Sequence, residues 1–109
     1  MTVRKTVGCL TMYVNVIRSH RDIIAVCDKE LLGKIFEEDK FQLDIKENFY
    51  KGKEATEEEV IEILRSFSAE DATFNIVGKR SIATALKTGV IAEETINEID
   101  NIPFALVLS

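Results

Sequence analysis

Two short apolar runs, separated by a polar break, predict a β-hairpin in the first quarter of the chain. Met12–Ile17 is MYVNVI, rich in β-branched and aromatic residues, and Ile23–Cys27 is IIAVC. The break between them, Ser19–Asp22, has the polar composition of a turn. Farther along, Phe41–Ile45 alternates apolar and polar residues, which predicts a third, half-buried strand.

The clearest helix of the chain begins at Thr56. Thr56 and Glu59 have the spacing of a capping box, in which each side chain bonds the backbone N–H of the other residue. Apolar residues then recur at helical spacing, which indicates a helix packed on one face. These residues are Val60, Ile63, Leu64 and Phe67.

The second half continues with a strand, a helix and a shorter helix. Thr73–Val77 is apolar enough for a buried strand, and a helix follows from Gly78 to a stop at Gly89. Glu93–Ile99 fits a short third helix.

In the first half of the chain, Asp28 is placed to cap a short helical turn, which ends at Gly33.

The apolar run Phe104–Leu108, set off by Pro103, is either a strand inserted in the sheet or an exposed, adhesive edge. Insertion is the favoured alternative. The order of elements predicts an α+β fold: a single two-layer domain over residues 1–109, with an N-terminal β-hairpin and mixed sheet packed with two to three helices.

Length and charge limit the classes of function. The 109 residues suffice for one compact core, and no apolar run approaches the length of a membrane span or of a secretion signal. We therefore expect a cytoplasmic protein without a membrane partner.

The net charge is −5, but residues 1–53 hold ten basic and eight acidic residues, whereas residues 54–109 hold four basic and eleven acidic residues. An acidic chain does not coat nucleic acid, so no DNA partner is expected, although local basic patches remain open.

Lys79 and Arg80 stand at a predicted helix start, where the macrodipole disfavours cations. The stretch lacks the earlier glycine and the hydroxyl residue of a Walker phosphate loop. One hypothesis is that Gly78, the free helix amides and the two cations bind an anion such as an RNA phosphate. The alternative is that acidic residues such as Glu70 or Asp71 pair with the cations.

A second candidate contact surface is the segment FYKGK over residues 49–53. Aromatic rings interleaved with lysines are typical of surfaces that stack an unpaired base and bind its phosphates, which suits Tyr50 and Lys51. Lys29 and Lys34 would enlarge this basic zone. The alternative is that Phe49 belongs to the core and Tyr50 to its boundary.

Catalytic and metal chemistry has little support. Cys9 and Cys27 form no C-x-x-C pair, and with His20 as the only histidine they do not make a structural zinc site. Two buried, reduced thiols are the favoured interpretation. We identify no catalytic residue, no metal ligand and no cofactor from the sequence.

Five blocks, in this order and spacing, resemble a small archaeal family known as domain of unknown function 424. They are Ala25–Lys34 with its C-D-x-E-L-L-G-K pattern, Phe49–Gly52, Asn75–Gly78, Gly89–Ile91 and Ile102–Pro103. The resemblance implies an archaeal cytoplasmic protein with a compact α+β fold, in which residues 1–10 form an N-terminal extension. It brings no established activity. The polar positions that match are Asp28, Lys34, Tyr50, Asn75, Lys79 and Arg80.

Three functional hypotheses follow. The first is a binding module without enzymatic activity, associated with RNA, a ribonucleoprotein or translation. The second is a protein-interaction or dimerisation module that uses Phe104–Leu108 or the acidic helix segment Glu57–Glu62. The third is an enzyme acting on a small anionic metabolite, with a deep pocket near Gly78 lined by Asp28 and Asn75. The candidate anion-binding or RNA-binding residues are Lys29, Lys34, Tyr50, Lys51, Gly78, Lys79 and Arg80, with Asp28 and Asn75 as polar candidates.

Overall fold

The computed structural model describes residues 10–108, which form one α+β domain around a six-stranded mixed sheet. The strand order in this sheet is β5-β1-β2-β6-β8-β7. A separate two-stranded sheet pairs β3 with β4. The strands are β1 Met12–Ile17, β2 Asp22–Asp28, β3 Ile35–Glu38, β4 Phe41–Asp44, β5 Lys53–Ala55, β6 Ala72–Val77, β7 Asn97–Ile99 and β8 Ile102–Leu108. The helices are α1 Glu47–Tyr50, α2 Glu57–Phe67 and α3 Lys79–Thr88.

The predicted hairpin is confirmed: β1 and β2 pair antiparallel, with Met12 opposite Asp28 and Ile17 opposite Ile23. Strand β2 also pairs parallel with β6, so β2 lies inside the sheet. Its residues 24–28 are all buried, as are most residues of β6. Continuous apolar runs are typical of strands that are covered on both faces, and this explains why neither strand alternates cleanly in sequence.

Helices α2 and α3 pack on one face of the large sheet, the helix face. The predicted capping box of α2 is present: the Glu59 N–H donates to the Thr56 hydroxyl at 3.2 Å, and the Thr56 N–H donates to the Glu59 carboxylate at 2.9 Å. Val60 and Leu64 of α2 are fully buried against the strands. The residues of this first core include Val60, Leu64, Phe74, Ile76, Ile82 and Ala85.

The opposite face of the large sheet is partly covered by the β3–β4 hairpin and by α1, and we call it the hairpin face. A second core forms there from Ala25, Cys27, Ile45, Tyr50 and Val77. The prediction of a strand over Phe41–Ile45 is confirmed as β4. The charged segment before it forms the partner strand β3, because Phe36 opposite Leu43 gives the hairpin an apolar inner side.

In the last third of the chain, one prediction is wrong and another is confirmed. Glu93–Ile99 is not a helix: only Glu93–Thr95 forms a 3-10 turn, and Asn97–Ile99 is strand β7. Asp100 and Asn101, both with positive φ, close a tight turn of the hairpin type that returns the chain into β8. Strand β8 is inserted between β6 and β7, as predicted.

No helix within residues 10–108 is long and apolar enough to cross a lipid bilayer. The predicted N-terminal extension over residues 1–10 and the thiol of Cys9 fall almost entirely outside the described part of the chain. Cys27, the cysteine that is described, is a buried free thiol.

Candidate functional site

The carboxylate of Asp28 lies at the N-terminus of α3. Its Oδ1 accepts the Ser81 backbone N–H at 2.8 Å and the Ser81 hydroxyl at 2.7 Å, and its Oδ2 accepts the Arg80 backbone N–H at 3.1 Å. Both Asp28 and Ser81 are buried. The first N–H groups of a helix have no partner within the helix and attract negative charge. Asp28 therefore supplies, from within the chain, the anion that this helix start attracts.

Gly78 makes this approach possible. It is the N-cap of α3 and has a φ of +108°, a conformation that residues with a Cβ rarely adopt. A Cβ on Gly78 would lie 2.3 Å from the Asp28 Cγ. With no side chain of its own to cap the helix, Gly78 leaves that position to Asp28. The 3-10 turn at residues 29–31, which we expected Asp28 to cap, has no side-chain cap.

Arg80 is neutralised by two carboxylates of the first half of the chain. Its Nη1 donates to both Glu30 oxygens, at 2.7 and 2.8 Å, and lies 3.8 Å from the Asp28 Oδ2. The hydrogen bonds that Arg80 donates to Glu30 raise the pKa of Arg80. Partial burial raises the pKa of the Glu30 carboxyl, but a bond from its own backbone N–H and the bond from Arg80 outweigh burial, so that the pKa is lowered.

The acidic residues that we expected to pair with the helix cations lie elsewhere. Asp71 pairs with Arg21 at 3.5 Å, near the opposite end of β6. Lys79 differs from Arg80, since within residues 10–108 it takes part in no ion pair and its side chain is exposed. Its side chain borders a surface pocket of about 330 Å³ at the α3 start. That pocket is lined by Asp28, Glu30, Leu31, Lys79, Arg80 and Ile102.

Tyr50 belongs to the second core. Its side chain is 7% exposed, and its ring meets that of Phe49 edge-on, with the ring centroids 5.0 Å apart. Burial, followed by the nearby Cys27, raises the pKa of the Tyr50 hydroxyl to about 12. A ring packed in this way is not available to stack a base. Lys51, directly after it, is exposed at the end of α1.

The remaining candidates are spread over the surface. Lys29 pairs with Glu54 of β5 at 3.2 Å, and Lys34 is exposed near Glu30. Asn75 is opposite Ala25 in the sheet, so its side chain points to the hairpin face, whereas Asp28 points to the helix face. Asp28 and Asn75 therefore lie on opposite faces of the sheet, and the pocket at the α3 start is lined by Asp28 but not by Asn75.

The Cys27 thiol is held in its protonated form. Burial, together with the charges of Asp28 and Glu30, raises its pKa from an ordinary value of 9.0 to about 12. Only the thiolate is an effective nucleophile, so this thiol is inert near neutral pH. His20 is exposed in the β1–β2 turn, at the opposite end of β2 from Cys27. Within residues 10–108, no cluster of three His, Cys, Asp or Glu side chains is placed to hold a metal.

Over its last four residues, the outer edge of β8 is not paired with any strand of residues 10–108, although the 3-10 turn Glu93–Thr95 lies against β8. Strand β7 pairs with residues 102–104 only, whereas β6 pairs with residues 104–108 on the other side. The Gly78 N–H donates to the Pro103 carbonyl at 2.8 Å, so Pro103, Ala105 and Val107 direct their backbone groups toward β6. By alternation, Leu106 and Leu108 direct theirs outward, where no strand of residues 10–108 lies.

The leucine side chains at this edge are exposed as well, 63% for Leu106 and 70% for Leu108. Both point to the hairpin face, beyond the part that the β3–β4 sheet covers. We call Ala105–Leu108 the open edge. The sequence indicated the apolar run but not that β7 is too short to cover it.

Sequence reasoning did not identify two residues of the site, Glu30 and Ser81. Glu30 lies two residues after Asp28, at the end of a buried strand, and its position close to Asp28 in the sequence was a weak indication that it could pair with Arg80. Ser81 carried no signal, because a serine in the first turn of a helix is common and its bond to Asp28 spans 53 positions.

These features define a single α+β domain with an internally capped helix and an open sheet edge. The profile of the family described as Protein of unknown function (DUF424) matches residues 17–109, and the chain belongs to that family. The match confirms the resemblance found from the sequence blocks.

A crystal structure of an uncharacterized conserved protein from Methanopyrus kandleri has a similar fold. Its TM-score is 0.74 at 22% sequence identity, and the alignment covers 89% of this chain and 90% of that chain. The likeness shows a common fold. A comparison with curated proteins gave no match.

Proposed function

We propose that this protein is a protein-interaction module that binds an extended segment of its partner as an additional strand beside β8. The observation that carries the proposal is the open edge, where two outward N–H and C=O pairs adjoin two exposed leucines. Addition of a strand to an exposed sheet edge is a common mode of peptide recognition. The backbone bonds supply affinity, and Leu106 and Leu108 supply an apolar contact.

The open edge lacks the features that usually prevent such pairing. Natural edge strands carry lysines, prolines, bulges or inward charges, or are covered. Residues 102–108 contain no charged side chain, and Pro103 lies in the part that β7 already covers. An uncharged edge with exposed leucines favours pairing with another strand.

Photo-cross-linking tests this proposal at the edge itself. A benzoylphenylalanine at position 106, introduced in cells of the organism that encodes the chain, is expected to form adducts with protein, including a second copy of the chain. The matched control is position 41, since the Phe41 side chain is 68% exposed but lies in the β3–β4 hairpin. Absence of adducts from position 106, or equal adducts from both positions, overturns the proposal.

Proline separates the backbone contribution from the side-chain contribution. Leu108→Pro removes an outward N–H and leaves the β6 ladder intact, whereas Leu108→Ala keeps that N–H. We expect the proline variant to lose the position-106 adducts and the alanine variant to retain part of them. Equal losses in the two variants would assign the contact to the leucine alone and contradict strand addition.

RNA or ribonucleoprotein binding is the second candidate function. It is supported by Lys79, an exposed cation without an ion pair in the described part of the chain, beside the pocket at the α3 start, and by the exposed Lys34. Arg80 and Lys29 contribute less, because carboxylates already neutralise them. Asp28 occupies the helix amides, so phosphate contacts in this proposal come from lysine side chains.

A filter-binding titration with archaeal tRNA and rRNA at low salt tests this second candidate. Binding should weaken as salt rises, and Lys79→Ala should weaken it more than Arg80→Ala, since Arg80 is paired with Glu30. Absence of salt-sensitive binding removes the candidate.

We also propose that the protein is located in the cytoplasm of an archaeal cell. The support for this location is the archaeal source of the similar crystal structure and the buried free thiol of Cys27, which suits a reducing compartment. Immunolocalisation in fractionated cells tests it, and recovery in the membrane or medium fraction would contradict it.

A further inference from the structure

We infer that the strand received by the open edge is β8 of a second copy of this chain, in an antiparallel register with Val107 opposite Val107 of the second copy. This inference rests on the proposed function and names its partner. It is carried by the register that the open edge allows, by the direction of its backbone groups and by the absence of charge along it.

The positions of β7 and of the outward groups select the register. Leu106 and Leu108 carry the outward N–H and C=O groups, so an added strand must bond to these two residues. In an antiparallel self-pair centred on Val107, Leu106 lies opposite Leu108 of the second copy, and Leu108 lies opposite Leu106 of the second copy. Each pair exchanges two bonds, and both outward residues of each copy are used.

The neighbouring registers are poorer. Centring the pair on Leu106 would place Leu108 opposite Phe104 of the other copy, but the outward groups of Phe104 are already paired with Asn97. Centring it on Leu108 would leave Leu106 without a partner among residues 102–108. The Val107-centred register is therefore the one that the open edge accommodates in full.

Side chains and charge favour an identical partner. In the Val107-centred register all four leucines lie on the hairpin face, where Leu106 of one copy contacts Leu108 of the other. The chain carries a net charge of −5, which opposes self-association in general, but residues 102–108 and the paired β6 residues 73–77 are uncharged. The two β8 strands therefore meet without like charges on the strands themselves, although Glu93 and Glu94 lie in the 3-10 turn against β8, and the contact is two-fold symmetric.

Sedimentation equilibrium of the purified chain over a wide concentration range tests for the second copy. The wild-type chain is expected to dimerise reversibly. Leu108→Pro removes one bond from each copy and should raise the dissociation constant about tenfold or more, whereas Leu108→Ala should raise it less. Circular dichroism of each variant checks that the fold is retained, and a dimer that Leu108→Pro leaves unchanged overturns the inference.

Cysteine cross-linking tests the register independently of the proline variant. In a Cys9→Ser background, Val107→Cys should form a disulfide dimer on mild oxidation, because residues at a non-hydrogen-bonded pair have Cα atoms about 4.5 Å apart. Leu106→Cys is the matched control, since its Cβ would lie roughly 7–8 Å from that of its equivalent, on the diagonal. Faster cross-linking of Leu106→Cys than of Val107→Cys would overturn the register.

The experiments distinguish this inference from the proposed function. A chain that stays monomeric but forms position-106 adducts with other proteins overturns the second copy as partner, while strand addition remains supported. A monomer without adducts removes both. A dimer that is weakened by Leu108→Pro and cross-linked through Val107→Cys supports both.

Discussion

The Asp28 carboxylate at the end of β2 accepts the backbone N–H and the hydroxyl of Ser81, at 2.8 and 2.7 Å, although the two residues are 53 positions apart. This contact joins the C-terminal end of a central strand to the first turn of α3. It occupies the amides of the helix start that an external anion would otherwise use. The same contact compensates for cations at the positive end of the helix dipole.

Replacing Asp28 by Asn should destabilise the protein by about 2–4 kcal/mol, because a buried carboxylate that accepts three hydrogen bonds is lost and an amide N–H₂ faces N–H donors. Urea unfolding measures the change. Glu30→Gln is the control, since it alters an exposed pair and should cost less than about 1 kcal/mol. A similar loss in both variants would contradict the assignment of Asp28 as the cap of α3.

Gly78→Ala should cost more than about 3 kcal/mol or prevent folding, because the new Cβ meets the Asp28 Cγ at 2.3 Å and the φ of +108° is strained for alanine. Gly89→Ala is the matched control. Gly89 also has a positive φ, +82°, but nothing lies within 4 Å of a Cβ there. We expect about 1–2 kcal/mol for the control. Thermal and urea unfolding measure the loss of stability in both variants. Equal losses would show that the strained φ alone, without the contact with Asp28, determines the loss.

Thr56→Ala should destabilise α2 by about 1 kcal/mol at neutral pH through loss of the capping box. The bond from the Thr56 backbone N–H, followed by that from Lys53, lowers the pKa of Glu59. A lowered pKa in the folded state means that Glu59 contributes stability above its unfolded value of 4.5 and loses it as the pH falls through the folded value. Thr56→Ala keeps the backbone N–H but removes the hydroxyl, which also donates to the Glu59 carboxylate at 3.4 Å and lowers its pKa. This part of the cost of Thr56→Ala should shrink in acid, and a fully pH-independent cost would contradict the coupling.

The free energy of unfolding should fall at alkaline pH because of Cys27. Its pKa is 9.0 ordinarily and about 12 in the folded protein, so above pH 9 the unfolded chain releases the thiol proton while the folded chain retains it. Stability is then full below pH 9 and falls by up to about 1.4 kcal/mol per pH unit toward pH 12.

Urea unfolding from pH 8 to pH 11 measures this dependence, and a Cys27→Ala variant should show a shallower slope from about pH 9 upward. Tyr50 adds a similar dependence from its ordinary value of 10.0, for the same reason, so some slope should remain in the variant. Rapid reaction of Cys27 with a thiol reagent in the folded protein at pH 8 would contradict its burial.

Elements that are specified by local periodicity were predictable. The β1–β2 hairpin and the α2 helix follow from apolar spacing, and the Thr56–Glu59 capping box was identified from two residues. The family was indicated by sequence blocks and is confirmed over residues 17–109. The segment at residues 93–99 was predicted wrongly, since helical spacing of apolar residues there competes with a tight turn that pairs β7 with β8.

The sequence alone determined the class of fold, the position of the helix start at Gly78 and the apolar character of Phe104–Leu108, because these properties depend on residues near one another along the chain. Tertiary structure decided which carboxylates meet Arg80, that Tyr50 faces the core, and that β7 leaves Leu106 and Leu108 uncovered. These outcomes depend on sheet order and strand length, which bring residues tens of positions apart into contact and are not encoded in any local pattern.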